Sequence, residues 1–386
     1  MKLSLQRITN STTFIPAIDG LRFIAISSVV LFHILKYITT KDNHYYHSSI
    51  DLLSIQHIFE KGRIGVPLFF SISGFILGIP FSKSYILKGP LINLKKFFLR
   101  RLTRLEPPYI ISLTILFIGS VYFAKTLSFN EALESYFASI FYMHWLVIPQ
   151  YLPLINEVMW SLEIEIQFYL LMPIFAAIIY RLKLPFARYT VYIALALCCM
   201  ISNHFFTLQY RTLFGFLQFF FVGMALADLY VRKQLILPKT KWDNLIAIVL
   251  FCLIWVYDFQ RTGSSIELFF WKCYLVICFF FFFYYVLFHR TLPFLSHKII
   301  TNIGGMCYSI YLLHYPIISL SGRVLLKYQF SKNGYMNISI YTIILLVIIM
   351  IISTLFFLFI ERPCMKENWY KNIFNFKQKE PKSSTV

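Results

Sequence analysis

Acidic side chains are scarce in this sequence: Asp and Glu number 17 in 386 residues, and only 14% of residues carry any charge. A water-soluble domain needs about a quarter of its residues charged to cover its surface, so the shortage excludes one. Cysteine is sparse and never arranged as CxxC. The seven cysteines, an odd number, lie almost wholly in apolar stretches (Cys198, Cys199, Cys252, Cys273, Cys278 and Cys307), with Cys364 at a boundary. That excludes a disulfide framework and leaves them as small packing residues. Strict apolar/polar alternation is also missing, which argues against a β-barrel. No segment resembles a nucleic-acid-binding module. No internal repeat is evident, and no loop is long enough for a separate soluble domain.

What is present is apolar: 58% of the residues are hydrophobic, with 42 Phe and 26 Tyr. Backbone groups in lipid must be satisfied within the chain, so continuous apolar runs of this length imply bundled helices. The fold class is therefore all-α integral membrane, a bundle of about ten transmembrane helices. The spans fall at 20–38, 63–81, 107–124, 158–180, 187–206, 211–231, 244–259, 271–288, 300–322 and 336–360. The first reads as a retained anchor, since Arg22 lies inside it and no small-residue cleavage site follows before Lys36. Residues 1–366 form one membrane domain, and the basic, polar stretch 367–386 reads as a disordered tail. The aromatic segment 135–149 is too short for a confident span and fits an interfacial or re-entrant piece.

Lys and Arg set the orientation. With both termini cytoplasmic, 24 basic residues fall on the inner side and 11 on the outer, Arg22 lying within a span. The net charge of +19 is then mostly an inner-face charge, facing anionic lipid or an anionic cytoplasmic ligand.

Ionisable groups inside spans cost about 2.5–3.5 kcal/mol each at mid-helix, so each one calls for a partner or a task. "DGLRFIAISSVVLFH", residues 19–33, carries two such groups in one apolar helix. Eleven residues are about three helical turns, which puts Arg22 and His33 on nearly the same face, about 16 Å apart. One pocket can use both. The bland alternatives are that Arg22 snorkels or pairs with Asp19, which also caps the helix, and that His33 is satisfied by a backbone carbonyl.

"EVMWSLEIEIQFYLLMP", residues 157–173, brings Glu163 and Glu165 in at the depth of His33. Two residues on a helix turn by about 200°, so at most one of them faces the interior, and the other points to solvent, headgroups or loop 125–157. A carboxylate beside the imidazole would hold its tautomer and favour its protonated form. The second span supplies Ser71, Ser73, Gly74 and Gly78, small enough for a close helix or a narrow ligand. "LKKFFLRRLTRLEPPY" places Lys95, Lys96, Arg100, Arg101 and Arg104 on a short amphipathic segment that suits either leaflet anchoring or phosphate binding. "IGGMCYSIYLLHYPI" raises Tyr311 and His314 to the level of His33. His44 and His47 have metal-compatible spacing but no further ligand near in sequence, so no metal is expected.

Taken in order, "IDGLRFIAISSVVLFH", "GRIGVPLFFSISGFILG", "FFLRRLTRLEPPYI", "EVMWSLEIEIQFYLLMP", "FFFVGMALA", "IGGMCYSIYLLHYPI" and "IERP" resemble the acyltransferase-3 family of integral membrane O-acyltransferases, which modify extracytoplasmic glycans. The resemblance implies Arg22 and His33 as the essential pair, acyl-CoA as donor, Arg100, Arg101 and Arg104 as the basic motif, Glu165 as the acid of the fourth span and Glu361 as the final acid. Glu163 and Ile166 depart from the usual pattern there, which leaves Glu163 and Glu165 competing for one role. The hydrolase-like domain appended in some relatives does not follow, which points to direct transfer by the membrane domain.

The resulting expectation is a multi-pass protein of the bacterial cytoplasmic membrane. It moves an acyl group, acetyl before succinyl, from cytoplasmic acyl-CoA to a hydroxyl of a surface polysaccharide or lipid-linked sugar. His33 acts as general base, with Arg22 and Glu165 beside it. Arg100, Arg101, Arg104 and Ser73 hold the donor, and Asp19, Tyr311, His314 and Glu361 support the site. An acyl-histidine relay and direct transfer both remain open, as does self-association. The rival class is a transporter or flippase that uses Arg22, His33 and Glu165 as a polar relay.

Overall fold

The first apolar stretch forms one unbroken helix, α1 (Pro16–Lys41), in the computed structural model, which describes residues 5–8, 14–41, 58–148, 151–205, 212–233, 237–258, 263–366 and 369. The sites considered at His44 and His47 and almost all of the tail beyond 366 lie outside the described residues. After a short 3-10 turn (Lys61–Ile64) come α2 (Gly65–Tyr85), α3 (Leu94–Ile118), α4 (Phe129–Ile140), α5 (His144–Val147), α6 (Trp160–Tyr180), α7 (Pro185–Phe205) and α8 (Leu213–Arg232). The chain continues through α9 (Asp243–Val256), α10 (Ser265–Phe288), α11 (Lys298–Gly305), α12 (Cys307–Leu325) and α13 (Gly334–Phe356). Among the described residues there is no strand.

Each of the ten expected spans has its helix, but they are not ten equal crossings. Eight helices are long and apolar enough to span a bilayer among the described residues. A ninth exists if α11 and α12, which meet at a 68° bend, count as one broken span. The tenth, α9, has only 14 residues, about 21 Å of helix, and falls short of a full hydrocarbon core. The outer helices carry the membrane signature: Ile343, Val347, Ile351 and Leu355 repeat every fourth residue along α13 and are all at least half exposed. Such a stripe is stable only against lipid.

α1 is the hub. Its Ile26, Val30 and Ile34 pack into a cluster with Ile310, Ile317, Tyr341 and Leu345 from α12 and α13, while Leu21 and Ala25 join the larger core built around α2 and α8. α2 and α8 approach closest where Gly74 lies against the Phe220 backbone and Gly223 against that of Ser71, so a Cβ at either position would strike main chain. Small residues are thus doing helix packing here, as in membrane interfaces generally.

Two local results differ from simple segment reading. The basic stretch is not a separate amphipathic piece: Asn93 caps it by accepting from the Lys96 N–H at 2.9 Å, and α3 then runs on through Pro107 and Pro108 into the third span. Segment 135–149 breaks into α4 and α5. Ser128 and Glu131 form a capping box at the start of α4, Tyr109 of α3 donates to the Ser139 carbonyl at 2.9 Å, and Tyr142 at the turn has φ 55°.

Candidate active site between two chambers

Two cavities lie along one face of α1. The first, of about 220 Å³, opens at the arginine end and is lined by Arg22, Ser73, Arg100, Arg101, Arg104, Glu165 and Glu361, with Tyr169 and Cys307 beside them. The second, of about 170 Å³, holds His33 together with Lys36, Arg63, Glu157 and Trp160. Val66, Ser161 and Tyr311 line both, so the chambers share a wall. Arg22 and His33 therefore line adjoining chambers, on the shared face that the eleven-residue spacing predicts.

At the arginine end, Asp19 is fully buried and bridges two cations: Arg22 Nη1 donates to it at 2.9 Å and Arg7 Nε at 2.7 Å. Arg22 thus has its i−3 partner and still lines the cavity. Burial, then repulsion from Arg22, pushes the Arg7 guanidinium down to about 10, so it stays charged at neutral pH. Arg101 donates to the Phe97 carbonyl at 2.8 Å and stacks over the Phe97 ring at 3.6 Å. Arg104 Nε is buried without a hydrogen bond among the described residues. Glu361 accepts from the hydroxyl and, at 3.0 Å, the N–H of Ser309, and its other oxygen is buried without a hydrogen bond among the described residues.

Glu165 does not sit beside His33. It faces the arginine-end cavity, where it accepts from the Ser73 and Tyr169 hydroxyls. Glu163, turned away as two helical residues dictate, is buried under the 125–157 segment near the backbone of His144 and Trp145. The His144 ring beside it is fully buried with neither nitrogen bonded among the described residues, and burial lowers its pKa, so it is neutral.

The partner of His33 is a second histidine. His314 of α12, fully buried, has Nδ1 at 3.0 Å from the Ile310 carbonyl and 2.9 Å from that of Tyr311. Both are acceptors, so Nδ1 carries the proton and Nε2 keeps its lone pair. That lone pair faces His33 Nδ1 at 3.2 Å, and the Val29 carbonyl is 2.9 Å from the same atom. His33 Nδ1 must then be the protonated nitrogen, which leaves His33 Nε2 as a free base. A proton arriving there makes an imidazolium whose Nδ1–H already has two acceptors. The chemistry foreseen for a carboxylate is supplied by a neutral ring and a carbonyl. Tyr311 donates to the Val158 carbonyl and stands 3.2 Å from Ser161 Oγ, placing two hydroxyls at the shared wall.

Sequence reasoning passed over Arg7, Tyr169, Ser161, Arg63, Trp160 and Ser309. For Lys36 a signal existed, since it follows His33 by three residues on the same helix. Tyr169 and Ser161 had one too, each four residues from Glu165 on α6, and the rest come from elements whose neighbours no spacing rule reveals. Among the described residues no group of three His, Cys, Asp or Glu side chains is placed to hold a metal ion.

Against known proteins, a family model described as an acyltransferase domain matches residues 15–359. The O-acetyltransferase OatA of Staphylococcus aureus strain MRSA252 is 27% identical over 403 aligned residues, covering 97% of this chain and 61% of the relative. OatA of strain NCTC 8325 / PS 47 matches to the same extent, 27% over 403 residues with 97% and 61% covered. The chain thus spans about three fifths of the length of these relatives. No solved structure matches it.

Proposed function

The chain belongs to the acyltransferase-3 family, and from that membership we propose that its two chambers hold the two substrates of one acyl transfer across a membrane. The protein is multi-pass, and the membrane is taken as the bacterial cytoplasmic one with the arginine end inside, in line with the bias in basic residues. The donor is acyl-CoA, with acetyl the favoured acyl group because the similar curated proteins are O-acetyltransferases. The acceptor is a hydroxyl of a surface polysaccharide or lipid-linked sugar. The observation that carries this reading is the adjoining pair of chambers, one cationic, one holding a histidine with a free Nε2.

Arg100, Arg101, Arg104 and Arg22 bind the donor's phosphates at the arginine end. The slender pantetheine arm runs past Ser73 and the shared wall until its thioester reaches the second chamber. There the acceptor oxygen attacks the thioester carbonyl carbon as His33 Nε2 takes its proton. Collapse breaks the C–S bond. The CoA thiolate recovers the proton from His33, leaving an O-acyl ester, free CoA thiol and a neutral histidine. Glu165 keeps Ser73 and Tyr169 in place along the arm, and Glu361 orients the start of α12 through Ser309.

Mass spectrometry of surface glycans from cells with and without the protein tests the reading. An O-acyl substituent should be present on one glycan class only when the protein is made. Identical glycans in the two strains, with saturable binding of some other solute, would favour the transporter class.

A further inference from the structure

General-base chemistry does not require cations beside the base, yet the second chamber has two. Lys36 stands one turn beyond His33 on α1, and Arg63 enters from the turn before α2. Their heads flank one ring: Arg63 Cζ is 5.0 Å from the Phe32 centroid and Lys36 Nζ 5.9 Å. Arg63 Nε is buried without a hydrogen bond, and neither cation has an ion-pair partner among the described residues. Glu157 is the one carboxylate that lines the chamber among those residues, and no ion pair joins it to either cation there. Arg63 is half-buried, and an unpaired cation there beside a neutral imidazole is costly unless an anion joins it, while Lys36 is exposed and adds a second positive charge over the same ring. The guanidinium fork of Arg63 suits a planar or tetrahedral oxyanion.

We propose that this chamber selects acceptors carrying an anionic group, a carboxylate or a phosphate, close to the hydroxyl that is acylated. Arg63 and Lys36 hold the anion, and the Phe32 ring that they flank, its centroid 4.7 Å from that of His33, fixes the offset between the anion and the reacting oxygen. The inference rests on the acyl-transfer reading for its acceptor, but the site binds the anion independently of turnover.

The test uses the full chain in maltoside micelles, free of phospholipid, with three probes titrated by saturation-transfer NMR: methyl glucuronide, glucose 1-phosphate and methyl glucoside. At least one anionic probe should bind tenfold or more tighter than the neutral glucoside, with an advantage that shrinks as salt rises. Which of the two gains tells carboxylate from phosphate. The advantage should fall to about twofold or less in Lys36→Gln/Arg63→Gln and persist in part in Arg63→Lys, which keeps the charge and checks that the fold tolerates change there. Equal binding of all three probes, or a preference that survives the double substitution, overturns the proposal. Neither result touches the acyl-transfer reading, which fails only if no glycan is acylated.

Discussion

His33→Ala should slow acyl transfer by about 10²–10⁴-fold at matched expression, the span typical of a lost general base, with little change in the Michaelis constant for the donor. The reason is local. His33 Nε2 is the free lone pair of a two-histidine relay whose other contacts all fix its tautomer: Val29 carbonyl at 2.9 Å, His314 Nε2 at 3.2 Å. His314→Ala removes one acceptor of the imidazolium and leaves the base itself, so it should cost turnover by less than His33→Ala. Single-turnover rates on purified protein with labelled acetyl-CoA measure both. Near-normal transfer in His33→Ala would move the chemistry elsewhere in the bundle.

Arg101→Ala/Arg104→Ala should raise the Michaelis constant for acyl-CoA by about 10²–10⁴-fold, because charged hydrogen bonds contribute about 1.5–3 kcal/mol each and phosphate contacts act mainly in ground-state binding. The acceptor constant should move by less than about threefold. Arg104 Nε already lies buried without a hydrogen bond, and Arg101 is preset over the Phe97 ring, so both guanidinium groups stand at the cavity wall before any ligand arrives. Titration of donor at saturating acceptor, then the reverse, separates the constants. Equal increases in both would remove the donor role from this cluster.

The sequence carried angular information well and neighbour information poorly. Eleven residues on one helix placed Arg22 and His33 on a shared face, and the two-residue step turned Glu163 and Glu165 to opposite sides without saying which faces the interior. Both follow from the helical period alone. Depth along the path was harder: Glu165 belongs with Ser73 and Tyr169 at the arginine end, because α6 and α2 pack with an offset that no hydropathy pattern records. His314 was legible as a polar group at the level of His33, but its contact depends on α12 packing against α1, and that contact only forms in the folded bundle. The basic segment read as separate from the span placed at 107–124, yet the described α3 runs through both, past Pro107 and Pro108. Spans were found by length, and α9 shows the weakness of that criterion, since the span read as 244–259 holds a helix that ends at Val256.

The central claim is that one path joins a donor at the arginine end to an acceptor at the histidine end. Sealed proteoliposomes test it most directly, with labelled acetyl-CoA supplied on one side only and an anionic sugar acceptor trapped on the other. The account predicts labelled O-acetyl ester in the donor-free compartment, absent with His33→Ala. Ester formed only when donor and acceptor share a compartment would contradict it.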